Sequence, residues 1–257
     1  MSADFEPMVP KPRLPEPPEA EPPSSLSYPF WNYEDLALFF GLGLPCLVLA
    51  LVGVEVVLWA FPFKLSKAVQ VLSAQFIGYG LWFTALVVLL RIRYEAPFWQ
   101  SLAWKIPKRG IWSSLVQGPL IAFLVAWLGL ALRTPNIDIP FKDLLSDQLS
   151  ITLTGIFAIT VGPVCEELAF RGFLMPVLMR TFGGWGGILI TALPFALLHG
   201  PQYSWSWRHL LLLVLAGAAF GRVRLITGST AAAALTHAAY NLTFFSALVA
   251  QGKDWQP

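Results

Sequence analysis

LSITLTGIFAITVGPVCEELAFRGFLMPVLM, residues 149–179, decides the fold of this chain. The stretch is apolar for longer than one crossing of a hydrocarbon layer about 30 Å thick requires, yet Glu166, Glu167 and Arg171 lie within it. Charged groups at that depth are costly, and they are retained mostly where they face a protein interior or a wet cavity and perform a task. The stretch therefore predicts a membrane helix that is part of a bundle and lines a site. Gly162 and Pro163, just ahead of the acidic pair, predict a bend or a division there.

The rest of the chain agrees with that frame. Of 257 residues, 56% are hydrophobic and 12% charged, and a mean hydropathy of +0.63 lies outside the balance of soluble domains. Further apolar runs extend over residues 35–61, 68–90, 111–132, 185–199, 210–227 and 229–250. With the run at 149–179 they predict an all-α, polytopic transmembrane bundle of about seven helices, or eight if the long run divides. Residues 1–30 mix Pro with Glu and offer little to bury, so a disordered tail is expected. That tail lacks the basic start and apolar stretch of a secretory signal. Residues 31–148 form N-terminal membrane helices, and residues 149–250 form the core that holds the site.

The net charge of +2 is too small to suggest a nucleic acid as partner, and the basic residues read as loop charges that set orientation. Arg91, Arg93, Lys105, Lys108 and Arg109 outnumber Lys64 and Lys67 of the preceding loop. They predict a cytoplasmic loop, with the N-terminal tail, Arg180, Arg222 and Arg224 on the same side. Lys64, Lys67, Arg133, Lys142, Arg208 and Lys253 fall on the other side and weaken the bias. Cys46 and Cys165 lie in apolar runs, which argues against a disulfide framework.

Two further polar words interrupt the apolar runs: FALLH with His199, and HAAYN with His237 and Asn241. On a helix, residues four apart share a face, which pairs Glu167 with Arg171, Phe195 with His199 and His237 with Asn241. Glu166 then projects about 100° around the axis from Glu167. One carboxylate is free to pair with Arg171 while the other faces a cavity and takes a proton from water.

Each word alone has a plain structural reading. A buried Glu–Arg pair can simply specify helix packing, and a lone histidine more often bonds a neighbouring helix than catalyses. Two acids, two histidines and an asparagine on three spans are harder to retain in lipid unless they converge. Rival protease chemistries lack their parts. Asp35, Asp138, Asp143 and Asp147 sit at helix ends or in a loop, Ser229 reads as the N-cap of the last span, and Cys165 reads as a small packing residue. Gly217 and Gly221 form a small-residue packing face. Gly183, Gly184, Gly186 and Gly187 read as a turn, and Tyr203, Trp205 and Trp207 as an interfacial belt.

EELAFRG, FALLH and HAAYN, with AGAAFGRVRLITGS between the last two, resemble the motifs of the CPBP family of intramembrane proteases. That family includes the type II CAAX prenyl endopeptidases and the bacterial abortive-infection and bacteriocin-immunity proteins. The resemblance covers residues 149–250 and implies an intramembrane endopeptidase. It makes Glu166 the base that activates a water and His199 a holder of that water. Glu167 and Arg171 become the ordering pair, and His237 with Asn241 the oxyanion-stabilising or metal-supporting pair.

Glu166, His199 and His237 are acceptable zinc ligands and the family is often called metalloprotease, but no HExxH helix is present. Zinc and a metal-free, glutamate-activated water both stay open, with the second preferred. The expected partners are the lipid bilayer and a membrane-associated protein or peptide, prenylated or otherwise lipid-anchored. The expected setting is the plasma membrane, with a site open to the cytoplasm. That access side rests on the resemblance, because the seven-span count places His199 nearer the outer end of its helix. The contrasting reading is a non-enzymatic scaffold or immunity protein, or a proton-linked transporter. Intact motifs argue against the scaffold, and the lack of an internal repeat argues against the transporter.

Overall fold

The structure, a computed structural model, describes residues 27–61, 63–106, 110–136, 144–145 and 147–251. The tail up to residue 26 and the expectations placed on Lys108, Arg109, Asp138, Lys142, Asp143 and Lys253 lie outside the described residues. The described residues are helices joined by turns: α1 (Tyr33–Ala60), α2 (Lys67–Tyr94), the short α3 (Phe98–Ser101), α4 (Ile111–Ala131), α5 (Gln148–Ile159), α6 (Val161–Glu167), a π-helical segment (Leu168–Leu174), α7 (Met175–Leu198), α8 (Trp207–Thr227) and α9 (Thr230–Gln251).

Six of the described helical stretches are long and apolar enough to cross a membrane. Their outward residues, among them Trp59, Ile92, Trp112 and Leu130, are exposed, as expected where lipid rather than water is the solvent. One of the six, Gln148–Leu198, runs for 51 residues, which at 1.5 Å per residue is about 76 Å and enough for two crossings. The chain breaks at Gly183, whose φ of 74° and ψ of 173° suit a residue without a Cβ. The turn expected from Gly183, Gly184, Gly186 and Gly187 falls on Gly183 alone, the other three lying in helical backbone, and the two apolar runs flanking it pass separately.

The long run also divides ahead of the acids, though earlier than the Gly162–Pro163 step suggested. Thr160, at φ −118° and ψ −78°, separates α5 from α6. Proline clashes with the carbonyl four residues back, so the disruption falls in the preceding turn while Pro163 sits in the first turn of α6, where an N–H is dispensable.

Helix starts follow their caps. Asn32 and Asp35 form a reciprocal capping box at the head of α1, and Asp35 is fully buried. It accepts from Arg93 Nη1 at 2.7 Å and from the Tyr94 hydroxyl at 2.5 Å, fastening the start of α1 to the end of α2. Upstream, within the stretch assigned by composition to the tail, Pro29 is buried and its carbonyl accepts from Arg180 Nη1 at 2.7 Å. Two residues on, Trp31 is fully buried, stacks on Phe173 and donates its indole N–H to the Phe173 carbonyl at 2.9 Å. A π turn shifts the backbone bonding pattern, and the indole satisfies one of the carbonyls in that turn.

Helices α4 and α9 approach closely at Gly118, where an added Cβ would lie 2.5 Å from Ala239 Cβ and 2.6 Å from the Thr236 carbonyl. Gly217 and Gly221 of α8 pack against Phe195 and Ile188 of α7, which is the close contact expected of that face. The contacts also sort the ends of the bundle. Tyr28, Ala103, Lys105 and the α8–α9 turn meet at one end, while Ser66 meets Ser150 and Arg208 meets Arg133 at the other. This is the grouping that the loop charges predicted.

Candidate active site

Four elements bring the six polar residues to one place. Glu166 and Glu167 close α6 and Arg171 lies in the π segment, His199 is the C-cap of α7, and His237 and Asn241 lie on α9. Gly217 of α8 completes the set with its carbonyl.

Glu167 and Arg171 form a buried ion pair. Arg171 and Glu167 are both completely buried, with Nη1 and Oε1 2.8 Å apart. The other arm of the guanidinium donates to the Gly217 carbonyl at 2.7 Å. The cation lies over the Phe195 ring at 4.5 Å and the Phe220 ring at 5.6 Å. Glu167 Oε1 is shared, because His237 Nδ1 stands 3.0 Å away. The histidine ring is held from its flank by Phe220, stacked at 4.5 Å.

These bonds fix both imidazoles. Nδ1 of His237 donates to a carboxylate, and Nδ1 of His199 donates to the Phe195 carbonyl at 2.8 Å. In each neutral ring the proton is therefore on Nδ1, and Nε2 presents its lone pair. Both lone pairs face the same atom. Glu166 Oε2 lies 4.0 Å from His199 Nε2 and 3.9 Å from His237 Nε2, and it is buried without a hydrogen-bond partner.

Separations near 4 Å are too long for a direct hydrogen bond. They suit one water about 2.8 Å from each atom, bonded at an angle of about 90°. Two carboxylates and one guanidinium give the cluster a charge of −1 when both imidazoles are neutral. The arrangement can therefore hold a water, accept its proton and pass that proton on.

Zinc was the rival occupant. At zinc bond lengths of about 2.0–2.2 Å, tetrahedral donors stand about 3.3–3.6 Å from one another, and the distances here are 3.9 and 4.0 Å. No group of three His, Cys, Asp or Glu among the described residues is gathered so as to hold a metal ion. The residues as placed do not fit the ion, and no step below passes through one.

Asn241 differs in one respect from the expectation. Its Nδ2 donates to the Ala158 carbonyl at 2.8 Å, next to the break between α5 and α6. One amide N–H thus anchors that break to α9, and one is left. Tyr79 of α2, which the sequence reading passed over, lies within electrostatic reach of Glu166 and stacks on Phe157. A lone tyrosine in an apolar span was the available signal. Cys165 is a free thiol, and Ser229 Oγ accepts from the Ala232 N–H as an N-cap does.

Residues 148–243 match the family model described as Type II CAAX prenyl endopeptidase Rce1-like. The match takes in every residue of this cluster and leaves α1 to α4 outside. No curated protein and no solved structure matches the chain.

Proposed function

We propose, taking as premise the endopeptidase likeness of residues 148–243, that this chain hydrolyses a peptide bond of a membrane-associated protein or peptide by means of a water activated by Glu166. The observation that carries the reading is Glu166 Oε2, buried, unpartnered and faced by two imidazole lone pairs. A scaffold has no need to leave a carboxylate oxygen in that state, since an unsatisfied buried acceptor costs about 1–3 kcal/mol or more.

The steps follow from the atoms present. Glu166 and His199 Nε2 orient a water, and Glu166 takes its proton as the oxygen attacks the scissile carbonyl carbon. Negative charge then appears on the carbonyl oxygen. His237, neutral with its proton on Nδ1 toward Glu167, helps hold the water through its Nε2 lone pair, and the remaining Asn241 N–H is the donor offered to that oxygen. Glu166 returns its proton to the leaving nitrogen as the C–N bond breaks, giving a carboxylic acid and an amine. Arg171 keeps Glu167 in place and does not touch the substrate. The family likeness points to a prenylated or otherwise lipid-anchored substrate, reached from the cytoplasmic side of the plasma membrane.

The test is cleavage-site mass spectrometry on membrane proteins incubated with the purified chain and with Glu166→Gln. New termini should appear with the native chain, and none with a variant that remains monodisperse. Cleavage by Glu166→Gln at a near-native rate would refute the assignment.

A further inference from the structure

At the end of the bundle where the α8–α9 turn meets the segment after α3, a cavity of about 420 Å³ is lined by Tyr28, Gln100, Trp104, Lys105, Arg224 and Gly228. The hydrolytic cluster uses none of these residues. Arg224 is buried, with 8% exposure, and its recorded partners are neutral: Nε donates to Thr230 Oγ1 at 3.0 Å and Nη2 to the Tyr28 hydroxyl at 3.0 Å. Lys105 Nζ lies 3.6 Å from where a Cβ on Gly228 would stand. Among the described residues no carboxylate pairs with either cation. A buried guanidinium without a counter-charge is expensive. The C-terminus of α8 offsets it only in part, because a helix end supplies about half a negative charge against two positive ones.

The walls of the cavity are fixed rather than loosely apposed. Thr230 N–H donates to the Ala103 carbonyl at 3.0 Å, Thr230 Oγ1 donates to the Leu102 carbonyl at 2.6 Å, and Ser229 Oγ donates to the Lys105 carbonyl. Gly228, with φ 62°, makes the tight turn and leaves room for the lysine. Two cations, Gln100 and Trp104 thus line one space. Trp99 and Trp112, both exposed, flank this segment as residues of a membrane interface do.

We propose that this pocket binds a phosphate-bearing anion between Lys105 and Arg224, with the headgroup of an anionic phospholipid as the favoured source. The interfacial tryptophans favour the lipid over free phosphate, since they place the pocket at headgroup depth. Leu102 and Thr230 also pack against Gly172, next to Arg171 in the sequence: a Cβ on Gly172 would lie 3.1 Å from Leu102 Cβ and 3.6 Å from Thr230 Cγ2. An anion held here therefore braces the π segment that carries Arg171.

The experiment uses the full chain in detergent, with native mass spectrometry and thermal unfolding after addition of phosphatidylglycerol, phosphatidylcholine or inorganic phosphate. Phosphatidylglycerol should be retained and raise the unfolding temperature, while phosphatidylcholine should do neither. Lys105→Gln should weaken retention about fivefold, the worth of one cation near an anionic surface. Arg91→Gln, which removes an exposed charge outside the pocket, should leave retention unchanged. Because Arg224→Gln risks misfolding, Lys105→Gln carries the test. Stabilisation by inorganic phosphate equal to that by the lipid would assign the pocket to free phosphate. Equal retention of both lipids without a phosphate effect, or equal weakening by Lys105→Gln and Arg91→Gln, would overturn the proposal.

Discussion

Replacing Arg171 by Met keeps much of the side-chain length and removes the charge. Two consequences compete in size. If the guanidinium only makes hydrogen bonds, its loss removes the contacts to Glu167 at 2.8 Å and to the Gly217 carbonyl at 2.7 Å. Polar contacts inside membrane bundles average about 0.6 kcal/mol each, so the variant would lose about 1 kcal/mol. If it neutralises a stranded carboxylate, the cost is the larger figure for breaking a buried pair, about 3–5 kcal/mol. Complete burial of both partners selects the second. Reversible unfolding in mixed micelles should therefore show a loss of about 3–5 kcal/mol for Arg171→Met. Adding Glu167→Gln should recover at least 1 kcal/mol or so, because it removes the unpaired charge. A single variant within about 1 kcal/mol of the native chain, or a double variant no more stable than the single, would refute the neutralisation argument.

Asn241→Ala should lower turnover by about a hundredfold with little change in KM, as befits a donor that acts mainly in the transition state; a change in KM alone would confine Asn241 to anchoring Ala158 or binding substrate. Treatment with a strong chelator should leave cleavage unchanged, and a loss restored by one equivalent of zinc would show that the donors near Glu166 contract around an ion. Gly118→Ala should cost about 1–3 kcal/mol of stability, because the new methyl meets the Thr236 carbonyl at 2.6 Å, a backbone atom that cannot step aside; a neutral effect in the same unfolding assay would mean that α4 and α9 slide freely.

The polar residues of the site were legible because they stand against an apolar background in which chance retention is expensive. The Glu167–Arg171 pair was legible because i and i+4 meet on a helix. The seven apolar runs were legible for the same reason as the glycine turn at 183: each is a local property of composition. Contacts between distant segments were not. Nothing local announces that the Trp31 indole is matched to a carbonyl 142 residues away, or that Tyr79 of α2 comes near Glu166. The π segment was hidden too, because its residues differ from those of an ordinary turn only in backbone pairing. Asn241 carries the same lesson: its spacing from His237 was visible, whereas the Ala158 carbonyl it binds depends on where the chain breaks.

That π segment also bears on how the chain tolerates change. A π turn accommodates extra backbone within a helix, so deleting a single residue between Leu168 and Leu174 would let an ordinary helix re-form and shift side chains inside the segment around the axis by up to about 100°. The acids would stay with α6 and α7 would keep its direction, whereas Arg171 would turn away from Glu167 and Trp31 would lose its carbonyl. Length in this segment is therefore under tighter constraint than the identity of most of its side chains, and its alignment with any relative should show substitutions before it shows gaps.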